Sequence, residues 1–305
     1  MSTSILPIQD SSAGLPAKVA DYVELTKPRI AVMVMITVAI TAFVARWGQP
    51  DPVLILHALV GTWLTASSAS GMNQWMERDL DKRMARTKNR PLPAQRLSVH
   101  GVLTFVVLTL VVGVGYLSFF VNPLTAVFAV AIWLVYVVAY TPLKTRTPYN
   151  TAVGAISGAL PILMGWAAVG GSWTDVRWLA LFTVVFFWQF PHFMAIAWIY
   201  RDQYKQAGMK MWPTVESSGL RAGTEAVIGA LILIPVSFIP IWLVPDGHVQ
   251  LLVVTLLGLV QLIFAWRFCF NRNERTARGL LRMSLVYLPL YLLILLTLPM
   301  LSIAW

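Results

Sequence analysis

Residues 73–93 read NQWMERDLDKRMARTKNRPLP and carry three of the 13 acidic residues and six of the 23 Lys and Arg of a 305-residue chain. The run before this stretch, 52–72, and the run after it, 99–120, contain no Asp, Glu, Lys or Arg. A helix of about 20 apolar residues is long enough to cross a bilayer. The stretch is therefore expected to be a charged loop that joins two membrane spans.

The composition extends this interpretation to the whole chain, which is 58% hydrophobic and 12% charged with a mean hydropathy of +0.70. Soluble domains carry about 25% charged residues. The apolar runs are continuous instead of alternating, which favours helices over a β-barrel. We predict an all-α, polytopic membrane helix bundle of about nine transmembrane helices. The predicted spans are 30–47, 52–72, 99–120, 123–141, 151–170, 177–199, 225–245, 249–270 and 284–304.

The distribution of basic residues predicts the orientation. With these nine spans, 21 of the 23 Lys and Arg fall on one side of the membrane, and only Arg46 and Arg177 fall on the other. Basic loops are retained in the cytoplasm. We therefore expect a cytoplasmic N-terminus and cytoplasmic even-numbered loops, with a flexible tail at 1–20 and one membrane domain at 21–305.

The N-terminal segment points to a bacterial inner membrane. Its first thirty residues lack the apolar core of a secretory signal. They contain Asp10, Asp21 and Glu24 and no Arg before Arg29, whereas a mitochondrial transit peptide is rich in Arg and poor in acids.

Two other features exclude further classes. The single cysteine, Cys269, rules out an internal disulfide and any site built on several cysteines. The formal net charge of +10 would favour nucleic acid as a partner of a soluble protein. Here no soluble basic module is present to bind it, and we expect no nucleic-acid partner.

The acids of the 73–93 stretch are segregated on one helical face. If 73–86 extends the second span as a helix, Asn73, Glu77 and Asp81 share a stripe at i, i+4 and i+8. Two like charges one turn apart destabilise a helix, unless a cation lies between them. A solvated helix end with weak ion pairs is the alternative.

Oxygen ligands alone, without Cys or a neighbouring His, suit Mg²⁺ better than zinc or iron. Mg²⁺ typically takes one or two carboxylates and leaves other positions to water and a substrate phosphate. Arg86 and Arg90 follow directly, and arginine binds phosphate oxygens in a bidentate manner. The residue types thus favour a diphosphate held between Mg²⁺ and guanidinium groups, with a structural charge cluster as the open alternative.

Four segments in order resemble one family. The motif running from Asn73 through Glu77, Asp79 and Asp81 to Arg90 resembles the first aspartate-rich motif of the UbiA superfamily of intramembrane prenyltransferases, in its protohaem IX farnesyltransferase (haem O synthase) branch. YVELTKPRI at 22–30, YTPLKTRTPYNTAVGAISGALPILMGW at 140–166 and WQFPHFMAIAWIYRDQYKQAGMKMWP at 188–213 are similar to other signatures of that branch. The resemblance covers about residues 20 to 304.

The resemblance implies the substrates farnesyl diphosphate and haem b, Mg²⁺ as cofactor and haem O as product. It implies the lipid bilayer as surroundings and leaves haem A synthase or a terminal oxidase as candidate partners. The implied residues are Asn73, Glu77 and Asp81 as metal ligands and catalytic groups, Asp202 as a further catalytic acid, Arg86, Arg90, Lys144 and Arg146 as diphosphate ligands, and His192 as a haem contact.

Several of these assignments have plainer alternatives. Many members of the superfamily carry a second Asp-x-x-x-Asp pair, but here positions 198 and 206 are Trp and Gln, so Asp202 is the only carboxylate in that loop. His192 is equally compatible with a packing role, although intramembrane ionisable groups are functional candidates. The basic residues Lys144 and Arg146 also fit topology, and topology is the stronger interpretation for Lys27 and Arg29.

Two alternative functions remain at this point. A prenyltransferase of the same superfamily acting on a quinone precursor or a chlorin would share the acidic motif. A membrane carrier would place ionisable groups near the bilayer midplane in broken helices. Here the acids cluster at the ends of the spans, which favours the enzyme.

Overall fold

Long helices make up the described part of the chain, which in this computed structural model comprises residues 14–47, 49, 51–243 and 247–302. The helices are α1 (Leu15–Leu25), α2 (Pro28–Arg46), α3 (Pro52–Asp81), α4 (Val99–Phe120), α5 (Pro123–Leu134), α6 (Thr141–Leu143), α7 (Asn150–Ala168), α8 (Arg177–Ile199), α9 (Arg201–Gln206), α10 (Trp212–Val215), α11 (Leu220–Trp242), α12 (His248–Phe270) and α13 (Glu274–Ser302), with a π-helical segment at Val135–Tyr140 between α5 and α6. Within these residues there is no strand.

Nine helical segments in the described chain are long and apolar enough to cross a membrane, as the sequence predicts. Most boundaries lie within five residues of the prediction, and two differ more. The second span continues beyond 72 as an unbroken helix to Asp81, and the last begins at Glu274 instead of 284. In both cases charged residues extend an apolar helix past its hydrophobic part. The helix expected over 73–86 thus ends at 81, and turns follow it.

The apolar core lies between α2, α7, α8, α11, α12 and α13. Its largest fully buried side chains include Trp166, Tyr287 and Tyr291. By contrast, α4 and α12 expose many aliphatic side chains, such as Val111 and Leu252. Exposed aliphatic surface of this extent suits lipid, so these helices lie at the perimeter of the bundle.

The third helix is the polar one, and it positions the site. Its buried side chains include Ser68, Ser70, Asn73 and Gln74 as well as the acids. Ser70 Oγ and Gln74 Nε2 donate to the Leu25 carbonyl oxygen at 2.8 and 2.7 Å. Because buried polar groups need partners, these bonds fix the end of α1 against α3.

A π-helical segment precedes α6 opposite this polar helix. The Tyr136 carbonyl oxygen accepts both the backbone N–H of Thr141, five residues on, and its hydroxyl at 2.9 Å. Pro142 follows and has no N–H to donate. Single π-helical turns of this kind occur frequently at functional sites.

The predicted tail at 1–20 lies only partly within the described residues. Residues 1–13 are outside them, whereas α1 begins at Leu15. The boundary between tail and domain at 20/21 stays a prediction.

Close packing of α2 on α7 depends on Gly165. A Cβ atom built there would lie 2.5 Å from the Val38 carbonyl oxygen and 3.0 Å from its Cα. We expect Gly165→Ala to separate the two helices and to lower the free energy of unfolding by about 1–3 kcal/mol. Unfolding in detergent would be measured by circular dichroism.

The matched control is Gly115→Ala in α4, where an added Cβ meets nothing within 4 Å. That variant should gain up to about 1 kcal/mol from helix propensity. Equal stability of the two variants would contradict the proposed close approach of α2 and α7.

Candidate active site

The structure places Asn73, Glu77 and Asp81 on one buried stripe at the end of α3. The helix continues straight through these residues, so their spacing of four brings them one above the other. Burial removes the solvent that would otherwise stabilise two neighbouring carboxylates.

Each of these three side chains contacts a cation from another part of the chain. The pairs are Lys27 Nζ with Asn73 Oδ1 at 2.8 Å, Lys144 Nζ with Glu77 Oε1 at 2.7 Å, and Arg90 Nη1 with Asp81 Oδ2 at 2.8 Å. The cations come from the turn before α2, the loop after α6 and the loop after α3. Three separate segments therefore converge on one face of α3.

The Asn73 amide has a defined orientation. Its Nδ2 donates to Thr141 Oγ1 at 3.1 Å. The Thr141 hydroxyl in turn donates its proton to the Tyr136 carbonyl oxygen. Thr141 can therefore only accept from the amide. Asn73 Oδ1 is thus directed to the cationic side, as a metal ligand would require.

The pKa values of the two lysines, Lys27 and Lys144, are shifted in opposite directions. Burial alone would lower the pKa of Lys144, but the adjacent Glu77 carboxylate raises it above its usual range. For Lys27, burial together with the nearby Arg90 lowers the pKa to about 7. Lys144 is therefore a permanent cation, whereas Lys27 has no full counter-charge in this structure.

Arg86, in the loop after α3, contacts Tyr200 at the end of α8 and Tyr204 in α9. Its guanidinium donates to Tyr204 Oη at 2.9 Å and lies over the rings of Tyr200 and Tyr204. Beneath it, Met84 packs in a small apolar cluster that includes Tyr204 and Met209. These contacts join the loop after α3 to α9 and the segment that follows it.

Two residues expected at the site are not brought into it. Asp202 is directed outward, with 80% of its side chain exposed, and its nearest cation is Arg201 at 4.0 Å. Arg146 is exposed and, within the described chain, makes no side-chain hydrogen bond. Catalytic and diphosphate-binding roles for these two residues stay predictions.

His192 lies elsewhere, in α8 against α13. Its ring stacks on Trp188 with centroids 4.8 Å apart, and Nδ1 lies 2.9 Å from Ser284 Oγ. Ser284 donates its only proton to the Leu281 carbonyl oxygen at 2.7 Å. If the Ser284 hydroxyl donates to Leu281, it accepts from Nδ1–H of His192, and this tautomer leaves the Nε2 lone pair available.

The donor set of the acidic stripe fits Mg²⁺. Two buried carboxylates and an oriented amide oxygen supply oxygen alone. That is the set which Mg²⁺ takes when water and phosphate complete its coordination.

Comparison with known proteins identifies the family. The model of the UbiA prenyltransferase family matches residues 33–288. The chain belongs to the UbiA prenyltransferase family. This confirms the resemblance found in the sequence and makes the chain a multi-pass membrane prenyltransferase.

Relatives named protoheme IX farnesyltransferase are similar over most of the chain. The relative from Rhodopirellula baltica is 40% identical over 280 residues, which is 89% of this chain and 97% of the relative. The one from Koribacter versatilis is 38% identical over 303 residues, covering 95% of this chain and 96% of its own.

Solved structures show the same fold at low sequence identity. A digeranylgeranylglyceryl phosphate synthase superposes with a TM-score of 0.73 and 16% identity, covering 92% of this chain and 98% of its own. A UbiA homologue from Archaeoglobus fulgidus bound to DMAPP and Mg²⁺ superposes with a TM-score of 0.67 and 14% identity, over 92% and 99% of the two chains.

Sequence reasoning missed Lys27, Thr141 and Tyr204. Lys27 was assigned to topology, although it lies in the YVELTKPRI segment that resembles the family. That segment was the available signal. Nothing in the sequence indicates that Thr141 orients Asn73, since the two residues are 68 positions apart.

The Lys144–Glu77 pair should carry much of the local stability in the absence of metal. Removing one partner leaves a buried charge without compensation, so Lys144→Met should cost about 3–5 kcal/mol of unfolding free energy in EDTA. The measurement is denaturant unfolding of the purified protein in detergent.

The matched control is Lys82→Met, which breaks the exposed 3.2 Å pair with Asp79 and should cost less than about 1 kcal/mol. The double variant Glu77→Gln/Lys144→Met should recover most of the loss. If Lys144→Met were no more destabilising than Lys82→Met, the buried pair would not have the proposed role.

Proposed function

We propose that the protein transfers a farnesyl group from farnesyl diphosphate to a vinyl group of haem b, with addition of water, to give haem O. The observation that carries the reaction class is the convergence of three cations on the buried acidic stripe of α3. The acceptor rests on the similarity to relatives named protoheme IX farnesyltransferase.

The cations have a direct role in leaving-group departure. When the allylic C–O bond breaks, its electron pair stays with the diphosphate, and the developing charge needs preorganised positive groups. Arg90 and Lys144 are held by the carboxylates of Asp81 and Glu77, and Lys27 is held by the amide oxygen of Asn73 on the same stripe. Binding of substrate lets them exchange a protein carboxylate or amide for a diphosphate oxygen.

The acidic stripe of α3 would hold the metal that accompanies the diphosphate. Asn73 Oδ1, Glu77 and Asp81 would bind Mg²⁺, which supplies charge neutralisation of the leaving group when it is bound. Thr141 keeps the amide oxygen turned towards this position. Arg86 is held over the rings of Tyr200 and Tyr204 and would bind diphosphate from the side of α9.

The allylic cation must be protected from water until the vinyl group attacks it. The farnesyl chain is apolar and suits the interior of a helix bundle. The new C–C bond takes its electrons from the vinyl group, and water then adds to the resulting haem-side cation with loss of a proton.

The haem acceptor requires a second binding region, and we place His192 there. Its Nδ1 is engaged by Ser284 and its ring is fixed by Trp188. A neutral imidazole whose other nitrogen is hydrogen-bonded is the arrangement used for metal ligation. His192 Nε2 is therefore proposed to face the haem iron.

The membrane placement follows from the same proposal. The basic loops that carry the site are assigned to the cytoplasmic side of a bacterial inner membrane. Farnesyl diphosphate would then approach with its headgroup in water and its tail in the bilayer. Haem A synthase or a terminal oxidase is the proposed recipient of the product.

The reaction is tested by incubating purified protein in detergent with haem b, farnesyl diphosphate and Mg²⁺. Liquid chromatography with mass spectrometry should reveal a haem that is heavier by farnesyl plus water and is retained longer. Asp81→Asn should lower the rate by about 10²–10³, because a buried ligand of the metal and of Arg90 is neutralised. EDTA should abolish the product.

The matched control is Asp79→Asn, which changes an exposed acid in the same stretch and should retain activity within about threefold. Diphosphate release with a quinone precursor but unchanged haem b would keep the family and refute the acceptor. Haem uptake into proteoliposomes without a prenyl donor would favour a carrier.

The haem contact is tested by visible absorption and magnetic circular dichroism of ferric haem titrated into the protein. His192→Ala should remove the nitrogen-ligated signature, and Ser284→Ala should weaken haem affinity about tenfold by releasing the ring. The control is His57→Ala, a second membrane histidine that bonds to Tyr116 Oη at 2.7 Å. Unchanged spectra in His192→Ala would refute ligation.

A further inference from the structure

The first helix directs an apolar stripe away from the rest of the protein. Leu15, Val19 and Val23 are 78%, 55% and 50% exposed and follow one another at i, i+4 and i+8. Such spacing places them on one face of α1. Nothing in the described chain covers this face.

The other side of α1 is held by specific contacts. Arg96, in the loop after α3, forms ion pairs with Asp21 and with Glu24, the latter at 2.6 Å. Tyr22 packs on Phe105 with ring centroids 5.3 Å apart, and Leu25 is fully buried. The helix is therefore docked by its polar and C-terminal parts, and its apolar stripe is left outward as a consequence.

The chain places α1 at the membrane boundary. Only Thr26 and Lys27 separate α1 from the membrane span that begins at Pro28. Lys27 has a φ of 50°, in the left-handed region, so the chain turns between α1 and α2 instead of continuing as one helix. In the first turn of α2, Ile30 is 60% exposed, as a lipid-facing residue would be.

We propose that α1 is an interfacial helix whose stripe of Leu15, Val19 and Val23 inserts into the lipid leaflet on the side of the active site. The occupant of the stripe is the acyl region of phospholipids, because the stripe is apolar and adjoins a membrane span directly. Amphipathic helices with one apolar and one charged face lie in the membrane interface, with the apolar face at the boundary between headgroups and acyl chains.

The attachment has a consequence for the site. The Leu25 carbonyl oxygen accepts from Ser70 and Gln74, and Lys27 contacts Asn73 two residues later. Membrane insertion of α1 would thereby also hold the turn between α1 and α2, from which Lys27 contacts Asn73. The insertion itself does not depend on the proposed reaction, and it is tested without an activity assay.

The test measures the depth of a label on α1 in the full-length protein. In a Cys269→Ser background, Val19→Cys carries an environment-sensitive fluorophore, and the protein is placed in nanodiscs of phosphatidylcholine and phosphatidylglycerol with nitroxide-labelled acyl chains. The control is Ala17→Cys, which is also exposed but lies on the opposite side of the helix. We expect lipid nitroxides to quench the label at 19 about threefold more strongly than at 17.

A water-soluble quencher should give the reverse order. Equal lipid quenching at the two positions would overturn the proposal, because the apolar face of α1 would then lie no deeper than its opposite face. Energy transfer between labels at 19 that requires two protein molecules in one nanodisc would overturn it as well, because a second copy would then be the occupant.

Discussion

Two carboxylates, Glu77 and Asp81, are buried one turn apart on α3, and the arrangement of the surrounding loops follows from their need for counter-charge. Removing a carboxylate from water costs several kcal/mol unless a cation and hydrogen bonds replace the solvent. The chain meets this requirement with Lys144 and Arg90, which arrive from different loops. Lys27 meets the amide of Asn73 beside them. In the proposed reaction, the Lys144–Glu77 and Arg90–Asp81 pairs would be exchanged for metal–carboxylate and cation–phosphate contacts when Mg²⁺ and the diphosphate bind.

Polar and aliphatic side chains are concentrated on different helices of the bundle. The third helix contributes Ser, Thr, Asn and Gln side chains to the interior, and these are partnered across helices, as by Ser68 with the Val106 carbonyl oxygen at 2.8 Å. The outer helices α4 and α12 present aliphatic side chains to the surroundings. In lipid, helices gain little from hydrophobic burial, so close approach at small residues such as Gly165 and interhelical hydrogen bonds have greater weight.

The two halves of the chain contribute different parts of the proposed chemistry. The acids and their cations belong to segments that end before α7, whereas Trp188, His192 and Ser284 belong to α8 and α13. The contact of Arg86 with Tyr204 joins the halves on the side of the loops. In the proposed reaction, the diphosphate donor and the haem acceptor would therefore occupy separate regions of one helix bundle.

The sequence by itself determined the nine spans, the all-helical class, the family and the shared stripe of Asn73, Glu77 and Asp81. These features depend on hydropathy, on helical periodicity and on local motifs, all of which are read along the chain. Only the tertiary structure decided which cation meets which acid, that Lys27 belongs to the site, that Thr141 orients Asn73, and that Asp202 is directed outward while Tyr204 is directed inward. It also decided that the partner of His192 Nδ1 is Ser284, which lies 92 residues away in the sequence. Each of these features depends on contacts between segments that are distant in the sequence. The direction of a side chain there is set by tertiary packing and not by its spacing along the chain.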